Sequence, residues 1–222
     1  MFAGDSAGGN LAAAVAINVT NDASTPSDPF RFVSLDYPAL QMSDFSNPAY
    51  RKYEYGPCLL EKKRMLNYWL YYAFGNLDNY NAFWDNLPFD QLDNDQIKKV
   101  SESLIPPSFK ANVPERAKPD PNRKFVLPDE MRSILLNPML APLMAEDEDL
   151  ASLPPTYILT AEFDVLRDDG LMFAERLKMI GIEVTQSYVS NEEHGFALMV
   201  DVFPTAVKEL EDFLVFFKKH MA

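Results

Sequence analysis

The stretch Gly4-Asp5-Ser6-Ala7-Gly8, almost at the start of this 222-residue chain, decides the fold prediction. It has the form Gly-x-Ser-x-Gly, which is typical of a serine held on a sharp turn between a strand and a helix. Taken alone the pattern is moderately specific, because glycine-rich turns before helices also occur in phosphate-binding loops. The Lys-Ser/Thr pair of a nucleoside triphosphate loop and the dinucleotide pattern Gly-x-Gly-x-x-Gly are both missing from the sequence. A nucleotide site is therefore not favoured.

The composition is that of a globular domain with an acidic surface. Hydrophobic residues make up 47% and charged residues 24% of the sequence, enough for one domain with a substantial core. The formal net charge of −13 repels phosphate backbones, so nucleic acid is not expected as a partner. The single cysteine, Cys58, excludes a disulfide within the chain. No apolar run reaches the ~20 residues that span a bilayer, and neither a membrane anchor nor a signal peptide is expected in this chain.

Strand and helix patterns alternate along much of the chain, which predicts parallel strands in an α/β fold. Short buried strands are expected over 31–38, 154–164 and 183–189. Helices are expected over about 7–20, up to a stop at Gly75, over 167–181 with Asp168 or Asp169 as cap, and over 205–220. The apolar faces expected on the first, third and fourth of these helices are Leu11, Val15 and Val19; Leu171, Ala174, Leu177 and Ile180; and Val207, Leu210, Leu214 and Phe217.

The texture of the sequence changes between about residues 41 and 150. Aromatic residues are concentrated between positions 68 and 89, where both tryptophans of the chain lie, and a proline-rich stretch without regular pattern follows. Long irregular insertions in compact domains are usually functional. We therefore expect 41–150 to be a cap-like or lid-like insertion within a single domain. The alternative for its aromatic residues is that they form only the core of the insertion itself.

A nucleophilic serine needs a base that accepts its proton and a third group that orients the base. The chain has two histidines. His220 lies three residues from the end, in a predicted helix terminus. His194 follows a predicted strand directly, and it is the candidate base for Ser6.

The acid is expected between Ser6 and His194 in the chain, since that order is associated with this type of turn. The stretch 158–170 offers four candidates, namely Glu162, Asp164, Asp168 and Asp169. Helix capping is a sufficient explanation for the last two. Glu162 and Asp164 remain, because both lie at the carboxyl end of a strand, where open parallel sheets present their sites.

Four stretches resemble a known family: "GDSAGGNLAAAV" from residue 4, "DYPAL" from residue 36, the run from Leu153 to Thr185, and "EHGF" from residue 193. They resemble the hormone-sensitive-lipase class of α/β-hydrolases, and within it arylacetamide deacetylase and its relatives, which include neutral cholesterol ester hydrolase. The resemblance covers nearly the whole chain and is loosest in the middle. It implies a mainly parallel sheet flanked by helices, with a cap insertion.

By that resemblance Ser6 matches the nucleophile, His194 the base and Asp164 the acid of a catalytic triad, and the backbone N–H of Ala7 matches one donor of the oxyanion hole. The implied activity is hydrolysis of apolar carboxylic esters, lipid esters included, or of arylamides, through an acyl-enzyme. No cofactor and no metal are implied. The deacetylase relatives are anchored in the endoplasmic reticulum membrane and face its lumen.

The sequence departs from the family in one large respect. Members carry a His-Gly-Gly-Gly stretch upstream of the serine, which supplies the other oxyanion donors, and this chain has no such stretch. The first half of the family's sheet has no counterpart either. We therefore expect 1–222 to be the C-terminal part of an α/β-hydrolase domain that is truncated at its N-terminus. An alternative function follows, that of a catalytically impaired fragment or isoform that binds apolar ligands.

Overall fold

The computed structural model describes residues 1–26, 29–55 and 58–221, and over these residues a parallel sheet lies between helices. The strands are β1 (Phe2–Asp5), β2 (Val33–Asp36), β3 (Thr156–Phe163) and β4 (Val184–Glu193), and they lie side by side in that order. The helices are α1 (Ala7–Asn21), α2 (Pro48–Lys52), α3 (Lys62–Phe74), α4 (Tyr80–Trp84), α5 (Asn94–Lys98), α6 (Asp129–Leu135), α7 (Asp147–Leu150), α8 (Arg167–Met179) and α9 (Pro204–Met221).

All three neighbouring strand pairs are parallel, which confirms the predicted fold class. Alternate residues of the strands face opposite layers of helix, as the pleat of a strand requires. Leu35 and Ile158 belong to one core with α1 and α8. Tyr157 and Leu159 belong to a second core with Phe216 of α9 on the other face. The sheet is therefore covered on both faces, as is usual for parallel strands.

The predicted helices form, but in two of them most of the predicted apolar face is exposed. In α1 the side chains of Leu11 and Val15 are 54% and 37% exposed, and Val19 is partly buried, whereas Ala12, Ala13 and Ala16 are buried in the core that includes β2. In α9 the predicted residues Val207, Leu210 and Leu214 are exposed, while Phe216 is buried and the predicted Phe217 packs partly buried beside it. Apolar spacing identifies a helix but not its rotation, because the neighbouring elements decide which side is covered.

The segment between β2 and β3 contains no strand among its described residues. It is built from short helices and from single turns of 3-10 helix at Phe89–Gln91, Glu102–Leu104, Pro107–Lys110 and Pro142–Met144. Gly75 ends α3 with a left-handed φ of 71°, as predicted. Phe45, Tyr50 and Phe83 form a core of their own with α3, whereas Ile105 and Leu143 join the core of the sheet. That 41–150 acts as a cap stays a prediction.

Asp168 and Asp169 do not cap α8, contrary to the sequence prediction. The N-cap residue is Leu166, and both carboxylates lie buried in the first helical turn. Asp168 accepts a hydrogen bond of 2.6 Å from the backbone N–H of Ala49, and Asp169 accepts one of 3.0 Å from that of Leu40. The two side chains therefore fasten the segment after β2 to α8, across more than one hundred residues of sequence.

Asp36, the last residue of β2, is expected to make the free energy of unfolding depend on pH. Burial, followed by the charges of Glu209 and Asp5, raises the pKa of Asp36 from 3.8 to about 7. The folded chain therefore holds this proton more tightly than the unfolded chain does. The resulting stabilisation is fully present below pH 3.8 and is lost as the pH rises through 7, at about 1.4 kcal/mol per pH unit in between.

Urea denaturation at pH 5 and at pH 7 measures this effect. The free energy of unfolding of the wild type, relative to that of Asp36→Asn, is expected to fall by about 2 kcal/mol between the two values. Asp201→Asn, which removes an exposed carboxylate, is the matched control and should follow the wild type. Parallel pH dependences of the wild type and Asp36→Asn would contradict the assignment.

Candidate active site

Ser6 lies on the turn that joins β1 to α1. Its backbone has φ 53° and ψ −119°, a conformation that costs a non-glycine residue of the order of 1–3 kcal/mol. Its N–H donates to the carbonyl of Asp36 at 2.8 Å, and its own carbonyl accepts from Ala39 N–H at 3.3 Å. The end of β2 therefore holds the strained turn in place from both sides.

The strained turn brings the Ser6 hydroxyl to the loop that carries His194. The Oγ of Ser6 lies 2.9 Å from Nε2 of His194, and Nδ1 of the same imidazole lies 2.8 Å from Oδ2 of Asp164. Asp164 is fully buried, and its other oxygen accepts from the N–H of Leu166 at 2.8 Å. Three side chains from different parts of the chain thus form one continuous line of hydrogen bonds.

The structure separates the two acids that the strand pattern leaves open. Asp164 contacts His194, whereas Oε2 of Glu162 accepts from the N–H of Asn191 at 2.9 Å. His220 lies on α9 against the ring of Phe216, with ring centroids 4.4 Å apart. Of the residues considered as base or acid, the geometry brings His194 and Asp164 together with Ser6 and leaves the others apart from it.

The backbone N–H of Ala7 is the first of α1 and follows Ser6 directly in the chain. N–H groups in the first turn of a helix have no acceptor within the helix, and the helix dipole adds a partial positive charge there. The N–H of Asn10 is the first to bond back, to the Ser6 carbonyl at 3.1 Å. The start of α1 can therefore donate hydrogen bonds to a negatively charged oxygen near Ser6.

A cavity of about 400 Å³ opens at Ser6 and Ala7. Its wall is largely apolar because α3 presents one face to it, with residues spaced by three and four positions. Some of the aromatic residues predicted for the insertion line this cavity, while others, Phe83 among them, form the insertion's core. The large apolar side chains of the wall are Leu11, Met65, Tyr68, Trp69 and Tyr72.

Sequence reasoning missed two residues that touch this site. The side-chain amide of Asn10 donates to the carbonyls of Ala39 and Leu140, at 2.8 Å each, and so ties the start of α1 to the segment after β2. The ring of Tyr37 packs against the imidazole of His194, with centroids 4.8 Å apart. Both residues lie within stretches that carry the family resemblance, which was the available signal.

Two other kinds of feature are not found in the described parts of the chain. Over 1–26, 29–55 and 58–221, no group of three or more His, Cys, Asp or Glu side chains is arranged to hold a metal ion. Among the same residues, no helix combines the length and the apolar character needed to cross a bilayer.

The chain is similar in sequence to two kinds of hydrolase. The chain is 39% identical over 201 residues to neutral cholesterol ester hydrolase 1 of Pongo abelii, across 87% of this chain and 47% of that protein. It is 35% identical over 199 residues to arylacetamide deacetylase of Bos taurus, across 87% and 48% respectively. The chain thus spans about half the length of the curated relatives it matches. These matches confirm the resemblance that the motifs indicated.

Solved structures agree at the level of the fold. An esterase of Rhizomucor miehei matches 98% of this chain and 50% of its own, with a TM-score of 0.64 and 22% identity. Carboxyl esterase 2 of Tuber melanosporum matches 99% and 53%, with a TM-score of 0.62 and 24% identity. The family model described as alpha/beta hydrolase fold matches residues 1–105 and 110–198. With most of its length matched in this way, the chain belongs to the α/β hydrolase fold family.

Proposed function

We propose that this chain carries the catalytic triad of a serine hydrolase that cleaves apolar carboxylic esters or arylamides. The observation that supports the proposal most directly is the line of hydrogen bonds from Ser6 through His194 to Asp164, which ends at an apolar cavity. Acyl transfer by a serine requires a nucleophile, a base that takes its proton and an acid that orients the base, and this arrangement contains all three. The α/β hydrolase relatives include esterases and a deacetylase by name.

The geometry supports a two-step reaction. Nε2 of His194 takes the hydroxyl proton as Oγ of Ser6 bonds to the substrate carbonyl carbon, and the carbonyl oxygen becomes an oxyanion. Asp164 stabilises the imidazolium through Nδ1–H, and the N–H of Ala7 donates to the oxyanion. The imidazolium then protonates the leaving alcohol or amine as the carbon–oxygen or carbon–nitrogen bond breaks. Water, deprotonated by His194, then attacks the acyl carbon; the bond to Oγ of Ser6 breaks, the carboxylic acid leaves, and His194 returns the proton to Oγ.

The cavity indicates the substrate class. Its apolar wall excludes charged groups and favours hydrocarbon, at about 0.8 kcal/mol for each buried CH₂. The names of the curated relatives point to cholesterol esters and arylacetamides, which are both largely apolar. We propose an apolar acyl or aryl group in the cavity, with the segment 41–150 acting as the cap over it.

Reaction with a fluorophosphonate probe tests the proposal, because such probes phosphonylate a serine that is activated by its own site. We expect the folded chain to be labelled and fragment mass spectra to place the label on Ser6 rather than on Ser24 or Ser27 of the same tryptic peptide. Heat-denatured protein is the control. A folded chain that the probe leaves unlabelled would contradict the assignment of a working triad.

A second candidate function is binding of apolar ligands without catalysis. The size and apolar wall of the cavity favour it equally, since neither depends on the triad. Equilibrium binding of a fatty-acyl or aryl ligand to a chain that the probe does not label would support this alternative. Labelling of Ser6 would reject it.

Leu11 offers a test of the cavity that leaves the triad untouched. Its side chain lines the cavity yet is half exposed, so Leu11→Glu should preserve the fold while it places a charge beside the acyl group. We expect kcat/KM for a p-nitrophenyl octanoate to fall about tenfold more than that for the acetate. Val15→Glu, one turn further along α1 and outside the cavity, is the matched control. Equal losses for both esters would contradict this orientation of the substrate.

Membrane association and a location in the lumen of the endoplasmic reticulum, which the family resemblance implies, are proposed for the whole protein.

A further inference from the structure

The backbone of Tyr37 is strained. Its φ is 36°, in the left-handed region that a residue with a bulky side chain rarely adopts. Such conformations persist only where the surrounding contacts over-determine them, and they cluster at functional sites. At Tyr37 the N–H donates to the carbonyl of Leu159 at 2.7 Å, and the side chain is fully buried. The strained backbone therefore indicates that the contacts made by Tyr37 depend on this particular turn conformation.

The turn that contains Tyr37 touches both Ser6 and His194. On one side, Ala39 N–H donates to the Ser6 carbonyl, and a Cβ added to Gly9 would lie 2.9 Å from the Cβ of Pro38. On the other side, the Tyr37 ring packs on the imidazole of His194. Tyr37, Pro38 and Ala39 therefore contact both the turn that carries Ser6 and the loop that carries His194. The spacing of that turn and that loop sets the 2.9 Å distance between Oγ of Ser6 and Nε2 of His194.

The ring of Tyr37, rather than its hydroxyl, makes this contact. Within the described residues the buried hydroxyl has no hydrogen-bond partner. Burial, followed by the charges of Asp36, Asp5 and Asp164, raises the pKa of this hydroxyl above its usual range, so it stays neutral at every working pH. The ring is held in turn by Phe196, at a centroid distance of 6.4 Å. The imidazole of His194 thus packs against the ring of Tyr37, whose neutral hydroxyl does not exchange a proton with it.

We propose that Tyr37 is a positioning residue for the triad, and that its ring holds the imidazole of His194 in the orientation that contacts Ser6 and Asp164 at once. Both nitrogens of His194 are engaged only if the imidazole keeps one rotamer, and the Tyr37 ring blocks the space into which the imidazole would turn. The inference rests on the proposed function, because it concerns the rate of the same reaction. Tyr37 does not line the cavity, so its removal should affect the chemical step rather than binding.

The test compares Tyr37→Leu and Tyr37→Phe by the kinetics of fluorophosphonate labelling. We expect Tyr37→Leu to lower the maximal labelling rate about 100-fold with unchanged half-saturating probe concentration, because a misplaced base costs about that much. Tyr37→Phe keeps the ring and should label within twofold of the wild type. Phe32→Leu removes another buried ring from the same core, away from His194, and should leave the labelling rate unchanged. Tyr37→Met replaces the leucine variant if that variant does not fold.

Proton NMR distinguishes a positioning role from a general loss of stability. In a variant that is still folded, lower stability alone does not change the resonance of the His194 ring proton. The proton that Nδ1 of His194 donates to Asp164 should give a low-field resonance in the wild type and in Tyr37→Phe, and lose it in Tyr37→Leu. Wild-type rates in folded Tyr37→Leu would overturn the positioning role. Rates in Tyr37→Phe as low as those in Tyr37→Leu would also overturn it, because the hydroxyl would then be responsible. A folded wild type without labelling would instead overturn the proposed function, and the inference with it.

Discussion

Asp164→Asn is expected to slow labelling of Ser6, and turnover of an ester substrate, by about 10³–10⁴. The asparagine amide would present a donor to Nδ1 of His194, which favours the tautomer that carries its proton on Nε2. An Nε2 that carries the proton cannot accept one from the Ser6 hydroxyl. The fold should survive, because the asparagine oxygen can still accept the hydrogen bond from Leu166 N–H. Steady-state ester hydrolysis and single-turnover labelling measure the loss.

Glu162→Gln is the matched control for this experiment. It neutralises the other acid at the end of β3, whose carboxylate accepts from Asn191 N–H, and the glutamine oxygen can keep that hydrogen bond. We expect a rate within about twofold of the wild type. A large loss in Glu162→Gln together with a small loss in Asp164→Asn would reverse the assignment of the acid.

Gly4→Ala is expected to disrupt the turn that carries Ser6. A Cβ at position 4 would overlap the carbonyl group of Gly8 and lie 2.9 Å from the N atom of Gly9, and these are backbone atoms that cannot move independently. Overpacking of this kind costs about 1–3 kcal/mol or more. The labelling rate should fall at least about 100-fold, because the displaced hydroxyl no longer meets His194. Thermal unfolding and probe kinetics measure the two effects separately.

Gly8→Ala is the control, although Gly8 belongs to the same Gly-x-Ser-x-Gly pattern. The nearest atom to a Cβ at position 8 is Oδ1 of Asp5, at an ordinary contact distance of 3.8 Å. Alanine is the better helix former by about 1 kcal/mol, and Gly8 lies in the first turn of α1. We therefore expect unchanged or slightly higher stability. Equal losses of stability and labelling rate in Gly4→Ala and Gly8→Ala would contradict this explanation, because the close backbone contact at Gly4 would then not be the reason for the glycine.

Local patterns in the sequence were sufficient to predict the architecture. The strands over 31–38 and 154–164 form where apolar and β-branched residues are concentrated, and Gly75 ends α3 because it adopts the left-handed conformation. The turn at Ser6 also follows from local sterics, since the two glycines and the serine lie within five positions. Each of these predictions depends on interactions between near neighbours in the chain.

Predictions that depend on distant contacts were wrong or remained open. Asp168 and Asp169 look like caps in the sequence, yet they fasten the segment after β2 to α8. Leu11 fits the apolar spacing of a core residue, yet it is 54% exposed and lines the cavity. The packing of Tyr37 against His194 is not indicated by the neighbours of either residue, because the two lie 157 positions apart (194 minus 37).

The sequence by itself determined the parallel α/β class, the turn that presents Ser6 and the choice of His194 as the candidate base. It could do so because backbone sterics, helix termination and the chemistry of a side chain are properties of short stretches. The family resemblance also indicated Asp164 as the acid, which the strand pattern alone could not separate from Glu162. Only the tertiary structure decided which helix faces are covered and what lines the cavity at Ser6. Those outcomes depend on how distant segments pack, and packing selects among side chains that are equivalent in their local pattern.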